Sequence, residues 1–229
     1  MRPQHPFRPA LFRFLKDLAE NNRRDWFQDN KSRYEEVARG PAMELIAALA
    51  PGLAKISPHI RADPRPVGGS LFRIHRDVRF SKDKRPYKTQ IGIHFRHVEA
   101  KDVHAPGYYL HLEPGASFFG CGIWHPDAKV AARIRQAIVD EPAMWKRALR
   151  AKRFASRLSL EGQSLKRPPR GFPADHPLLS DLKRKDFVAT CKLAQRDVTG
   201  ADFYKSYLEH CKDGAAFMRF LCTALDLPF

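Results

Sequence analysis

Gln90-Ile-Gly-Ile-His-Phe-Arg-His97 and Gly107-Tyr-Tyr-Leu-His-Leu-Glu-Pro-Gly-Ala-Ser-Phe-Phe-Gly-Cys-Gly-Ile-Trp124 decide the fold of this chain. In the first stretch Ile91, Ile93 and Phe95 alternate with Gly92, His94 and Arg96. In the second, Tyr108, Leu110 and Leu112 alternate with Tyr109, His111 and Glu113. Successive side chains of a strand point to opposite faces, so a period of two predicts strands with one apolar face. Glu113-Pro-Gly-Ala-Ser117 has the composition of a turn, and Phe118–Trp124 reads as the returning arm of a hairpin. Gly120 and Gly122 in that arm leave room for close approach of a backbone or a ligand. Upstream, Leu71–His75 alternates in the same way, with Phe72 and Ile74 against Arg73 and His75. Neighbouring strands of this kind predict an antiparallel sheet with one face in a core.

Helical spacing flanks these strands on both sides. Leu11, Phe14, Leu15 and Leu18 mark one helix and Trp26, Phe27, Tyr34 and Val37 a second, with a break at Asn21-Asn22. Pro41 fits the first turn of a third, which carries Leu45, Ile46, Leu49 and Leu53. Beyond the hairpin, His125-Pro-Asp-Ala128 opens a helix with Val130, Ile134 and Ile138, and a further one follows Glu141-Pro142 with Trp145 and Leu149. Residues 159–177, with four prolines among basic residues, read as an irregular connection; Phe203, Tyr207, Leu208, Phe217, Phe220, Leu221 and Leu225 return to helical spacing. The fold class expected is α+β: a single domain over 1–229, with a central antiparallel sheet of hairpin meander and helices from both chain ends packed on it.

A chain of 229 residues, 43% of them hydrophobic and 16 of them Phe, can bury a substantial core. Its formal net charge of +16 favours encounters with nucleic acid, phosphorylated metabolites or anionic surfaces without choosing among them. Cys121, Cys191, Cys211 and Cys222 form no C-x-x-C and no zinc-type spacing, so four reduced thiols are expected. Met1–Pro6 lacks the apolar stretch of a signal peptide, and no run approaches a membrane span; the expectation is a soluble, cytoplasmic protein with no membrane partner.

The charge concentrates in Arg73-Ile-His-Arg-Asp-Val-Arg-Phe-Ser-Lys-Asp-Lys-Arg-Pro-Tyr-Lys88, which holds seven Lys/Arg and two Asp in sixteen residues. Arginine presents a planar fork that matches phosphate or carboxylate, and two aspartates cannot neutralise seven cations. The block is therefore read as an anion site built by Arg73, Arg76, Arg79 and Lys88, with Lys82 and Lys84 as mobile charges. Asp77 orients the arginines, and Tyr87 and Trp124 form an apolar wall. The competing reading is a structural network in which Asp77 and Asp83 stiffen the loop. His75 or His111, with Glu113, supplies an acid–base pair on the polar sheet face. His75, His94, His111 and Glu113 also carry metal-ligand atoms, but Arg73 and Arg96 on the same face oppose a cation, and no metal is expected. No Walker loop, dinucleotide glycine pattern, H-E-x-x-H or nucleophile elbow is present, so no cofactor and no reaction follow from motifs.

Several stretches together resemble one family. They are Phe7, Leu11, Phe14-Leu15, Leu18, Asn21-Asn22, Trp26-Phe27, Asn30, Tyr34 and Pro41; the block from Arg73 to Lys88; Tyr108–Gly115; Gly120-x-Gly-x-Trp124-x-Pro126; and Leu182-Lys-Arg-Lys-Asp-Phe187. In this order they resemble the bacterial and fungal domain of unknown function 2461. The resemblance implies a soluble, single-domain protein whose family carries no assigned activity or cofactor. The functional expectation is thus an anionic small-molecule partner, phosphorylated or carboxylated. The alternative is a nucleic-acid-binding module using Lys146, Arg147, Arg150, Lys152, Arg153 and Arg157 with residues 166–170 and 183–185, where Trp145, Phe154 and Phe172 would stack on bases.

Overall fold

The computed structural model describes residues 7–99 and 105–229; Met1–Pro6, read above for a leader, lies outside them. Helices α1 (Pro9–Glu20), α2 (Arg24–Asp29), α3 (Lys31–Tyr34) and α4 (Gly40–Ile56) precede the sheet. Leu11, Phe14, Leu15 and Leu18 of α1 are fully buried, as are Leu45, Ile46, Leu49 and Leu53 of α4, as their spacing predicts. Pro41 stands in the first turn of α4, as expected, but no break precedes it: α3 runs through a π-helical turn, Glu35–Arg39, straight into α4. Proline lacks the N–H that would bond one turn back, and the widened turn just before it absorbs that defect.

The fold is mixed α+β. Strands β1 (Ile91–Arg96), β2 (Gly107–Leu112) and β3 (Phe118–Ile123) form an antiparallel meander. After α5 (Ala128–Asp140), α6 (Pro142–Arg150) and α7 (Lys152–Arg157) come β4 (Ser159–Glu161), the short α8 (Leu179–Leu182) and β5 (Phe187–Lys192). Helices α9 (Gln195–Val198) and α10 (Phe203–Ala224) complete the fold. The sheet order is β1-β2-β3-β5-β4. Strand β5 lies antiparallel to β3, with Gly120 opposite Thr190 and Gly122 opposite Val188. Phe187, Ala189 and Cys191 of β5 alternate as clearly as the residues of β1, and β4 emerges from the stretch expected to be irregular.

One face of the sheet is packed by α10, which α4 backs in turn. Ile91, Ile93, Phe95, Tyr108, Leu110, Leu112, Phe119, Cys121, Ile123, Phe187 and Ala189 all point into that core. The other face carries His94, Tyr109, His111, Phe118 and Thr190 with the glycines between them. The strand expected over Leu71–His75 is not one. It touches the sheet only through the isolated bridge of Leu71 to Ile93, and its far end bridges His75 to Tyr87. The whole segment from Pro58 to Gln90 is an irregular strap along the outer edge of β1. Phe72 N–H donates to Gly92 O at 2.9 Å, and His94 N–H donates to Ser70 O at 2.8 Å.

Candidate functional site

On the uncovered face the sheet forms the floor of a cleft of about 490 Å³, within the usual size of small-molecule sites. Its floor is paved by Gly107, Gly120 and Gly122, and its walls are Phe72, His94, Tyr109, His111, Phe118 and Trp124. Val188, Thr190, Glu161 and Gly162 close the β4–β5 end. The rings are mutually supported: His111 stacks on Phe118 at 4.7 Å, and Phe72 lies 6.0 Å from Tyr109 and edge-on to His94 at 6.1 Å. Trp124, 57% exposed, forms one end of the cleft.

Along β2, alternate residues meet in a chain. The carboxylate of Glu113 can only accept, so His111 donates Nε2–H to Oε2 (3.0 Å) and its Nδ1 accepts the Tyr109 hydroxyl (3.2 Å). Thr89 Oγ1 donates to the other Glu113 oxygen at 3.5 Å. Burial, aided by the charge of Glu113, pushes Tyr109 up to about 12, which keeps it a neutral phenol at neutral pH. His111 and Glu113 are thus hydrogen-bonded to each other, and His111 and Tyr109 both line the cleft.

The basic block divides. Lys88 lies behind the cleft wall rather than in the lining: its Nζ is 5.4 Å from the centroid of the wall residue Phe72 and donates to Arg73 O at 2.9 Å. Lys88 is half-buried, and burial followed by repulsion from Arg73 lowers its pKa. Among the described residues it has no carboxylate partner. Most of the rest is an ion network. Asp77 takes Arg79 (2.7 Å), and Asp83 takes both Arg76 (2.8 Å) and Arg85 (2.7 Å). In Asp77–Arg79 and Asp83–Arg85, as in Asp63–Arg65, the carboxylate also accepts the N–H two residues on, so each D-x-R closes its own turn. Lys84 Nζ donates to Val78 O at 3.0 Å, and Lys82 is exposed.

Of the four cations expected to converge, Arg76 and Arg79 are held by Asp83 and Asp77, while Arg73 and Lys88 stay side by side. Arg76, His75 and Tyr87 line a separate depression of about 360 Å³ with Arg24 and Gln28. Nor do Tyr87 and Trp124 share a wall. Tyr87 is buried, stacked on Phe27 at 4.1 Å, and the side chain of Asn22 clamps both its N–H and its C=O at 3.0 Å. His75 packs beside Tyr87 (5.1 Å) and Phe27 (6.3 Å), away from the sheet face that holds His111.

In the basic helices Trp145 and Phe154 face the core, with Trp145 5.0 Å from Phe220 and Phe154 5.6 Å from Phe217, so neither ring is available to a base. Arg153 and Arg157 are held by Asp213 of α10, at 2.6 and 3.1 Å. Among the described residues, no group of three or more His, Cys, Asp or Glu could hold a metal ion, and no helix is long and apolar enough to cross a membrane.

Sequence reasoning missed Phe72 as a cleft wall, Thr190 and Glu161 on the last two strands, and the pair formed by His125 and Asp186. Architecture and site together define a mixed α+β protein with an aromatic-walled cleft on the uncovered face of an antiparallel sheet. The chain belongs to the family described as conserved hypothetical protein (DUF2461), whose model matches residues 10–220. Comparison with curated proteins and with solved structures gave no match.

Proposed function

We propose that this protein binds a small organic anion with a flat, apolar body, held in the cleft as one α+β domain. The body would lie on the glycine floor between the rings, and its phosphate or carboxylate would meet Lys88 and Arg73. The observation that carries this reading is a cleft lined mainly by apolar atoms and aromatic rings, whose wall residue Phe72 is contacted by the half-buried Lys88, a cation with no carboxylate partner among the described residues. An anion arriving there would add the charge pairing that the backbone hydrogen bond of Lys88 does not supply. Aromatic walls favour planar ligands, and the Tyr109–His111–Glu113 chain offers them one oriented polar contact.

Gly120 provides a clean test. A Cβ built there meets nothing closer than 3.7 Å, so a larger side chain enters the cleft without straining the sheet. Thermal-shift and calorimetric titrations would compare aryl carboxylates, aryl phosphates, nucleoside monophosphates, sulfate and short oligonucleotides. Gly120→Leu is expected to abolish binding of the aromatic anion with an unchanged melting temperature. Lys88→Met is expected to weaken it about 10- to 100-fold, the size of a hydrogen-bonded charge lost. Binding that survives Gly120→Leu and disappears in Arg76→Ala would move the site to the depression beside Tyr87. Binding of oligonucleotides alone, steeply reduced by salt, would replace this reading by the nucleic-acid one.

A further inference from the structure

His125 follows the exposed cleft residue Trp124 and lies against it, with ring centroids 4.0 Å apart and the planes tilted by 40°. Its φ of +48° is in the left-handed region, and it precedes Pro126, which disfavours helical backbone in the residue before it. Glycine or asparagine would fit this position at lower cost. The conformation is held by Asp186, a carboxylate only 1% exposed. Asp186 Oδ1 accepts the His125 N–H at 2.9 Å and lies 3.0 Å from His125 Nδ1, while Oδ2 accepts the Gln163 N–H at 2.9 Å. Space for that carboxylate comes from Gly162, a cleft residue at φ +101° where a Cβ would stand 2.5 Å from that of Asp186.

A buried carboxylate on Nδ1 fixes the imidazole as the tautomer whose lone pair is on Nε2, and compensates the charge when Nε2 takes up a proton. The ring itself is nearly half exposed. Local strain retained at an exposed imidazole with a buried acid behind it is the pattern of a proton-transfer group. Cys121, the thiol that borders the cleft floor, is fully buried, and burial raises its pKa, so it is a poor nucleophile.

We propose that His125, oriented by Asp186, is a general base at the Trp124 end of the cleft and activates water towards an ester of the flat ligand class. Nε2 takes a proton from water as its oxygen bonds to the acyl carbon. The C–O bond to the leaving group then breaks, and the proton on Nε2 passes to the departing oxygen, which restores the neutral imidazole. His125 touches the reacting water and is the catalytic residue; Asp186 is a positioning residue. This inference rests on the cleft reading for its substrate class but not for its chemistry.

The test uses the full chain with 4-nitrophenyl acetate, followed by nitrophenolate release, beside an equal concentration of imidazole. Wild type should exceed imidazole. His125→Asn, which suits the left-handed backbone, should lower kcat by about 100-fold or more. Asp186→Asn should lower kcat with KM unchanged, a split that loss of a merely structural contact does not give. As a check independent of turnover, diethyl pyrocarbonate should modify His125 ahead of the other histidines, in wild type and Gly120→Leu alike. A wild-type rate no higher than that of imidazole, a His125→Asn rate equal to wild type, or ordinary reactivity of His125 would each overturn the proposal. Failure of the aromatic anions to bind, with hydrolysis still dependent on His125, would instead remove the cleft reading and leave the pair standing.

Discussion

Gly122→Ala is expected to destabilise the protein by about 3 kcal/mol or more, whereas Gly120→Ala, two residues earlier on the same strand and face, should stay within about 0.5 kcal/mol of wild type. Gly122 has φ +120°, a region nearly closed to L side chains, and an added Cβ would stand 2.1 Å from the Phe187 carbonyl oxygen and 3.0 Å from the ring of Phe217. Backbone on one side and a core ring on the other leave no cheap way to yield. Gly120 is open, and a strand glycine there carries only an entropic cost that alanine relieves. Urea denaturation of both variants checks the contrast. In a thermal melt, the Gly122→Ala loss corresponds to a fall of roughly 6–12 °C.

Acid should destabilise the protein between about pH 6.5 and pH 4, chiefly through His94. Burial, with repulsion from Arg96, lowers this imidazole from 6.5 to about 4. The unfolded chain takes up the proton near pH 6.5, while the folded protein resists until about pH 4. In that interval the unfolded state binds more protons, so stability is complete above 6.5 and falls as the pH drops. The full interval is worth about 3 kcal/mol. His210 on α10, also lowered by burial, adds a loss of the same sign. Melting curves at pH 7.5 and 4.5 should therefore differ strongly for wild type and much less for His94→Phe, which keeps a ring against Phe72 and Tyr109. An equal acid loss in both would assign the effect elsewhere.

Much of the fold could be read directly from alternation and helical spacing. Ile91 to Phe95 and Tyr108 to Leu112 each repeat the period several times without interruption, and their register follows from the face they bury. Strand β5 shows the same alternation, but it directly follows Lys183-Arg-Lys-Asp186, where charge drew attention away from pattern. The segment from Leu71 to His75 carries the pattern but bridges the sheet only at Leu71, while its far end pairs His75 with Tyr87, which Asn22 clamps beside α2. In the basic block a count of cations pointed to an anion site. Yet D-x-R is itself a local signal that Arg79 and Arg85 are already engaged, which leaves fewer cations for a ligand than the count suggests. The pairing of His125 with Asp186 joins residues 61 apart in sequence and is visible only once β3 and β5 lie side by side.

The strap from Pro58 to Gln90 has a further consequence for the sheet's borders. By bonding to Gly92 and His94 it occupies the outer hydrogen-bonding groups of β1, and at the opposite border β4 is only three residues long. A strand from another chain would find neither a long row of open amides nor a flat apolar rim to dock on. The same strap delivers the wall residue Phe72, so the segment that shapes the cleft also guards against edge-to-edge aggregation. Substitutions that loosen it should therefore reveal themselves as poor solubility before any change in binding is measured.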